Sequence, residues 1–354
     1  MTLKIIPGLA LALCLAFIGQ YLSDFIGLTL MGLPKSPVSA IMLAIVMGIL
    51  VRNTVGLPDF FQPGIKFGLM RVLRIGIVLL GIRLSLAEAG TIGLQGLPII
   101  IGCVATALIV VTYFGRRMGL SGRLGILIAG GTSICGATAI VAMAPAVRAK
   151  DDEVSYAIAC ITIFGVVAML AYPFLAYWIF QGDAVAAGLF LGTSVHETAQ
   201  VAGAGLVYQQ YYTSPEALDV ATVTKLVRNM GMLVVIPLMS IIYMRTSEEA
   251  AVAPKWYSMI PLFVVGFAAM SLLRTIGDSG ELAFGFIEQS QWQAFVDLTK
   301  HVAELCLAVA MAAVGLGTSI MGLRSIGLRP LAVGLFSAVL VGAVAIVLIF
   351  LLHG

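Results

Sequence analysis

The chain has 354 residues, of which 60% are hydrophobic and only 10% are charged, with a formal net charge of +3. Because an ordinary soluble domain carries about 25% charged residues, this composition excludes a soluble globular enzyme. The small net charge also gives no indication of nucleic-acid binding. With a mean hydropathy of +1.08, the sequence predicts an integral membrane protein.

Apolar runs recur along the whole chain, and a helix needs about 20 residues to cross the roughly 30 Å hydrocarbon layer. The runs are bounded by charged residues or by Pro and Gly, and they lie near 3–23, 38–51, 66–87, 95–114, 122–147, 154–180, 184–208, 219–244, 256–275, 294–320 and 328–352. The sequence therefore predicts an all-α polytopic membrane protein with about 9–11 hydrophobic segments. We expect residues 1–354 to form a single transmembrane transporter domain.

Lys and Arg residues of the short loops fall mainly on one side of the membrane if the segments alternate. They are Arg52 with Lys66, the trio Arg116, Arg117 and Arg123, Arg245 with Lys255, and Arg324 with Arg329. The positive-inside rule makes this side the cytoplasm. We therefore expect a cytoplasmic N-terminus and a periplasmic C-terminus.

Arg148 and Lys150 are the exception, because simple alternation places them outside. The anomaly disappears if 122–147 is a hairpin that enters from the cytoplasm and 184–208 is a second hairpin that enters from outside. Interrupted crossing helices remain the alternative, since either arrangement needs about 25 residues per segment.

A weak duplication relates the end of the third segment, GIRLSLAEAGTIGL, to the end of the tenth, GLGTSIMGLRSIGL. At a constant offset of 234, the matching residues are Gly81 and Gly315, Ser85 and Ser319, Ile92 and Ile326, Gly93 and Gly327, and Leu94 and Leu328. Loop charges orient the two segments oppositely. Inverted repeats, approximately 66–180 and 184–352, are therefore predicted, and such repeats are typical of secondary transporters. Chance similarity between apolar runs is the alternative.

Two polar stretches interrupt the apolar sequence, GGTSICGATAIVAMAPAV at 130–147 and LGTSVHETAQVAGAGLVY at 191–208. Irregular backbone at membrane depth persists only where it is packed in protein or lines a wet cavity, and a restarting helix presents free N–H groups that favour an anion. Close helix packing by small residues is the alternative. The predicted substrate-binding residues of these stretches are Gly131, Thr132, Ser133, Cys135, Gly136, Ala137, Thr138, Thr193, Ser194, His196, Glu197, Thr198 and Gln200.

Ionisable residues within membrane segments are functional candidates by default. His196 and Glu197 are the predicted coupling residues, because both can change protonation; a hydrogen-bonded pair that fixes the interruption is the alternative. Lys225 and Arg228 share a helix face with a spacing of three. With Asn229 beside them, they are predicted to hold an anion, unless they snorkel to the membrane edge.

Other charged residues are assigned structural positions. Arg83 is predicted to be interfacial, and Glu304 to form an ion pair with Lys300 four residues earlier on the same helix. The stretch from Gly131 to Thr138 approximates a nucleotide-binding P-loop but has Ala137 where that motif requires Lys. ATP-driven transport is therefore not expected.

The stretches GGTSICGATAIVAMAPAV, GTSVHETAQVAGAG and TKLVRN, in this order, resemble the YeiH family of bacterial inner-membrane proteins, which is labelled as a sulfate exporter family. The likeness covers essentially the whole chain. It implies a bacterial inner-membrane carrier related in architecture to bile acid and sodium/proton transporters with inverted repeats. No residue roles are transferred with it.

Together, these observations predict a secondary active transporter that exports a small anion, such as sulfate or a sulfonate, by alternating access. We expect no enzymatic activity, no bound metal and no cofactor, with Na⁺ or H⁺ as the candidate coupling ion and a potential-driven uniport as a further option. The expected partners are a small anionic solute, the lipid bilayer and, as one option, a second copy of the chain. An anion channel and an intramembrane enzyme using Ser133 and His196 are the alternatives.

Overall fold

The computed structural model describes residues 4–32, 36, 38–246, 261–280, 282–319 and 327–353. Its α-helices are α1 (Ile6–Asp24), α2 (Ala40–Thr54), α3 (Gln62–Phe67), α4 (Leu73–Leu80), α5 (Leu86–Thr106), α6 (Thr112–Arg117), α7 (Gly122–Ser133), α8 (Ala137–Met143), α9 (Asp151–Ile179), α10 (Ala184–Ser194), α11 (Thr198–Tyr212), α12 (Pro215–Met230), α13 (Met232–Thr246), α14 (Leu262–Gly277), α15 (Gln289–Gly317) and α16 (Leu328–Leu352). Strands β1 (Leu282–Ala283) and β2 (Ile287–Glu288) form a small antiparallel pair.

The helices confirm the prediction of an all-α polytopic membrane protein. Within the described residues, six helices are long and apolar enough to cross a membrane: Ile6–Leu30, Leu86–Arg117, Asp151–Ile179, Pro215–Met239, Gln289–Gly317 and Leu328–Leu352. Two of these extend an α-helix through a short π-helical stretch, at Phe25–Leu30 and Ala107–Val111. Shorter apolar helices are Ala40–Thr54, Ala184–Ser194 and Leu262–Gly277.

The chain folds into two compact units. Unit 1 comprises Met1–Thr91, Gly205–Asp219 and Leu262–Ile320, and unit 2 comprises Ile92–Ala204, Val220–Pro261 and Met321–Gly354. In unit 1, α1, α2, α3 and α15 enclose a core of mostly small apolar residues: Ala12, Leu15, Ala16, Ala44, Ile65, Val309, Ala312, Ala313 and Leu316. Gly48 of α2 and Gly315 of α15 lie in close contact, which is typical of helices that pack without bulky side chains in membranes.

Unit 1 also contains an ion-pair cluster that corrects one expectation. The Arg83 side chain is only 8% exposed and its Nε lies 2.6 Å from Asp219 Oδ1, while its interfacial position stays a prediction. Arg83 Nη1 also donates to Glu304 Oε1 at 3.1 Å. The expected Lys300–Glu304 ion pair is therefore wrong, and Lys300 instead contacts Asp297 at 3.2 Å. A partner distant in sequence outcompetes the local one.

In unit 2, α7 and α8 form a hairpin. A β-carbon added at Gly130 of α7 would overlap the terminal methyl of Met143, the last residue of α8, so α8 folds back along α7. Ser121, which caps the start of α7, donates to the side chain of Glu153 in the first turn of α9. The chain therefore enters and leaves the hairpin at the same end of unit 2.

This hairpin accounts for the exceptional loop at Arg148 and Lys150. Glu153 Oε2 accepts a hydrogen bond from the backbone N–H of Lys150 at 2.9 Å, while its other oxygen accepts from Ser121. Lys150 therefore lies at the same end of unit 2 as the start of α7. A crossing helix would have placed Lys150 at the opposite end.

The second interrupted segment begins with α10, which runs parallel to α12. Gly192 packs closely against Ala221. The carbonyl of Val195, directly after the end of α10, accepts a hydrogen bond from Lys225 of α12 at 3.1 Å. Later residues of the α10 segment therefore contact later residues of α12, so the two helices run in the same direction.

Helix α11 runs in the opposite direction. Thr198, its first residue, accepts a hydrogen bond from Asn229 near the end of α12 at 3.1 Å. Gly205 lies against Leu218, near the start of α12. Since α10 and α11 run in opposite directions along the same helix, the segment 184–212 is a second hairpin.

One residue pair of the predicted duplication, Gly81 and Gly315, has similar surroundings in the structure. Gly81 and Gly315 each lie near the end of a helical segment, where an added β-carbon would meet a backbone oxygen, that of Phe267 or Ile45 respectively. Ile326, and the loop residues Lys255 and Arg324, lie outside the described residues. The inverted repeat itself stays a prediction.

Candidate functional site

Both predicted interruptions are present in unit 2. Helix α7 ends at Ser133 and α8 begins at Ala137, while α10 ends at Ser194 and α11 begins at Thr198. The first break turns at Gly136, whose φ of +69° and ψ of −128° are accessible essentially only to glycine. The expectation of two discontinuous helical segments is confirmed.

The C-terminal ends of α7 and α10 leave carbonyl oxygens without partners inside the helix, and each end carries about half a negative charge. Lys225 of α12, which is fully buried, binds this carbonyl cluster. Its Nζ donates to the carbonyls of Ile134 at 2.9 Å and Val195 at 3.1 Å, and also to that of His196. All three N–H groups of the ammonium are thereby used.

Arg228 lies one turn further along α12 and is 1% exposed. Its Nε donates to the Ser133 carbonyl at 2.8 Å, and its Nη1 donates to the Thr193 carbonyl at 2.7 Å. Nη1 also contacts the Val195 carbonyl at 3.0 Å, and Nη2 donates to that of Thr132. Both cations therefore bind both hairpins.

These contacts decide against the alternative proposed for the two cations, and their binding of an anion stays a prediction. They do not snorkel to the membrane edge, because both side chains are fully buried. Their observed partners are the negative, C-terminal ends of α7 and α10. The same contacts occupy carbonyls that could otherwise ligate sodium.

Glu197 in the second break reaches the start of α8 in the first hairpin. Its Oε1 accepts from the backbone N–H of Ala137 and from the hydroxyl of Thr162, each at 3.4 Å. Gln200 closes the arrangement, accepting from the Glu197 N–H at 3.1 Å and donating to the Thr162 carbonyl at 3.0 Å. Thr162 was missed in the sequence because it is a single hydroxyl within a long apolar helix.

His196 is 1% exposed, yet neither of its ring nitrogens has a hydrogen-bond partner among the described residues. Thr224 Oγ1 and Asn229 Oδ1 share this condition in the same part of the structure. Buried polar atoms are nearly always paired, so each such atom calls for an explanation such as water, an ion or a solute. Thr224 and Asn229 lie on α12 next to Lys225 and Arg228, and His196 lies in the second break, so each of the three is a candidate contact for a bound solute.

Several predicted hydroxyl groups are directed along their own helices. Ser133 donates to the Ala129 carbonyl, Thr193 to that of Leu189, and Ser194 to that of Phe190. This local bonding is common for Ser and Thr within helices. The Ser133 hydroxyl makes no hydrogen bond to His196 within the described part of the chain, and a hydrolase using these two residues would need that bond.

The remaining predicted residues have varied surroundings. Thr132 Oγ1 bonds to Ser337 of α16 at 3.1 Å, and Cys135 Sγ lies 3.4 Å from Met232 Sδ. Thr138, the second residue of α8, is exposed. The carbonyl of Gly131 accepts from the Gly136 N–H at 2.9 Å, which tightens the first turn. The predicted residues thus lie around the two breaks, and their role in substrate binding stays a prediction.

The fold and the site define a multi-pass α-helical membrane protein with two re-entrant hairpins joined by buried cations. The family model described as Conserved hypothetical protein 698 matches residues 7–334. The chain therefore belongs to the UPF0324 family of membrane proteins, to which the resemblance had pointed.

Similar proteins come from diverse bacteria. A UPF0324 membrane protein of Bacillus anthracis is 32% identical over 346 residues, which cover 98% of this chain and 94% of that protein. The UPF0324 inner membrane protein YeiH of Salmonella typhi is 31% identical over 353 residues, covering 96% and 93%. A UPF0324 membrane protein of Nitratidesulfovibrio vulgaris is 30% identical over 357 residues, covering 98% and 93%.

Proposed function

We propose that the protein is a secondary transporter that exports a small anion, such as sulfate or a related sulfur oxyanion or sulfonate. The observation that carries this proposal is the set of unpartnered buried polar atoms on His196, Thr224 and Asn229, beside two buried cations. Secondary transporters bind their substrates where discontinuous helices meet. The two breaks of unit 2 supply such a place.

Charge balance at the breaks supports an anionic substrate. Lys225 and Arg228 bring two positive charges, whereas the C-terminal ends of α7 and α10 together offset about one. The negative charge of the Glu197 carboxylate is offset in turn by the N-terminal ends of α8 and α11, which together carry about one positive charge. About one positive charge remains, and it would stabilise an anion in a region of low dielectric constant.

The other candidate functions are less well supported. An intramembrane hydrolase would need Ser133 activated by His196, and the Ser133 hydroxyl instead donates to a helix carbonyl. An anion channel could use the same breaks, but it would conduct without saturation and without stimulation by substrate on the opposite side. Inverted repeats of approximately 66–180 and 184–352 would supply alternating access, with the N-terminus cytoplasmic in a bacterial inner membrane.

Anion binding is tested by thermal unfolding of the purified protein in sulfate, sulfite, thiosulfate and taurine. At least one anion should raise the melting temperature saturably, because a ligand that binds only the folded state stabilises it. His196→Ala should abolish this response, whereas His301→Ala, at an exposed position on α15, should retain it. Absence of any stabilising anion would contradict the proposal, and non-saturating flux in proteoliposomes would favour a channel.

Glu197→Gln tests whether a proton is the coupling ion. The neutral amide keeps the shape and accepts from Ala137, but it cannot gain or lose a proton, so we expect the pH dependence of transport to flatten. Glu304→Gln is the matched control, since that carboxylate pairs with Arg83 in unit 1. An unchanged pH profile in Glu197→Gln would exclude this carboxylate as the proton carrier.

A further inference from the structure

The ammonium group of Lys225 has the surroundings of a bound cation. Its described hydrogen bonds all go to carbonyl oxygens, those of Ile134, Val195 and His196. These oxygens come from two separate chain breaks. No carboxylate oxygen lies within ion-pair distance of Nζ among the described residues.

Carbonyl groups arranged in this way are ligands for small monovalent cations. Ion channels replace the hydration shell of a cation with backbone carbonyls, and secondary transporters hold coupling cations with unwound carbonyls and the C-terminal ends of broken helices. Lys225 meets the same kinds of group, since Ile134 follows the end of α7 and Val195 follows the end of α10. The site differs in that its occupant is attached to the chain.

We infer that Lys225 Nζ is the built-in occupant of a monovalent-cation site, and that the site binds a free monovalent cation when the side chain is removed. The inference about the cation site stands on the carbonyl geometry alone. It further implies, resting on the proposed function, that transport needs no free sodium at this position.

The inference depends on replacing one positive charge, the Lys225 ammonium, with another, a free monovalent cation. Lys225→Ala would remove the donor to the buried carbonyls of Ile134 and His196 beside the negative ends of two helices, which is destabilising, while Val195 would keep its bond to Arg228. A free monovalent cation with a water molecule can enter the space of the lost side chain and restores the same charge. Lys225→Met also removes the charge, but its thioether chain fills much of that space and excludes the ion.

The experiment measures thermal unfolding of the purified full-length protein in NaCl, KCl, methylammonium chloride and choline chloride at equal ionic strength. Wild-type protein should unfold at the same temperature in all four salts. Lys225→Ala should unfold at a lower temperature in choline chloride and gain at least about 3 °C, saturably, in one of the small-cation salts. Lys225→Met should be destabilised to the same extent in every salt.

Two results would overturn the inference. The first is a Lys225→Ala protein that is folded but equally stable in all four salts. The second is a Lys225→Ala protein that cannot be recovered in any of these salts although Lys225→Met can, because a cation bound in place of the ammonium should have restored the lost charge.

This test is independent of the anion screen. A cation response in Lys225→Ala without any anion response would keep the cation site and reject the proposed function. An anion response in the wild type without a cation response in the variant would do the reverse.

Discussion

Arg228→Ala should be the most destabilising single substitution on α12. The guanidinium donates to the carbonyls of Ser133, Thr193 and Val195 within 3.0 Å. Its removal takes the donor away from the Ser133 and Thr193 oxygens, whereas Val195 keeps its bond to Lys225. Each buried carbonyl left without a donor typically costs about 1–3 kcal/mol. We expect the melting temperature in detergent to fall by at least about 5 °C.

The control for this experiment is Arg117→Ala. Arg117 is exposed and bonds to Tyr113 one turn earlier on α6, so its loss should change the melting temperature by less than about 2 °C. Arg228→Lys should give an intermediate result, because an ammonium offers three donors where the guanidinium offers five. Equal stability of Arg228→Ala and the wild type would contradict the assigned contacts.

Gly136→Ala should disrupt the first hairpin. The backbone at Gly136 has φ +69° and ψ −128°, a conformation that costs an L-residue about 1–3 kcal/mol. In addition, the new β-carbon would overlap the Cγ of Glu197, displacing the carboxylate that caps Ala137. We expect both a lower melting temperature and loss of the anion response.

Gly125→Ala provides the matched comparison within the same hairpin. Gly125 lies inside α7, and a β-carbon there would meet no atom within 4 Å. Alanine favours helix by about 1 kcal/mol over glycine, so this variant should be as stable as the wild type or slightly more stable. A similar loss in both variants would show that the helix packing, and not the turn at Gly136, is sensitive.

The positions of the two breaks could be predicted from the sequence because their causes are local. Gly-Thr-Ser followed within a few residues by Gly136, or by His196 and Glu197, disfavours a continuous apolar helix, and α7 and α10 end there. The apolar runs likewise determined the helical, multi-pass architecture. Both conclusions depend only on residues near one another in the chain.

The direction of the chain after each break was not predictable. Hairpins and crossing helices need similar numbers of residues, and the choice depends on non-local packing such as Met143 against Gly130. The ion-pair partner of Glu304 was predicted wrongly for the same reason. Arg83 lies 221 residues from Glu304, and no spacing rule connects them.

The contacts of the two α12 cations are predictable from the helix dipole. A helix that breaks within a membrane has a positive N-terminal end and a negative C-terminal end, and the negative end attracts a cation. Applied to the ends of α7 and α10, the same principle predicts a requirement for buried cations. Lys225 and Arg228, spaced three apart within an apolar helix, were the available candidates.

The double attachment of α12 restricts how this region can move. Lys225 and Arg228 each donate to carbonyls from both hairpins, and a hydrogen bond to a charged group is worth about 1.5–3 kcal/mol. Sliding one hairpin past the other would rupture several of these bonds at once. In any conformational change, we therefore expect the two chain breaks and the Lys225–Arg228 turn of α12 to stay together.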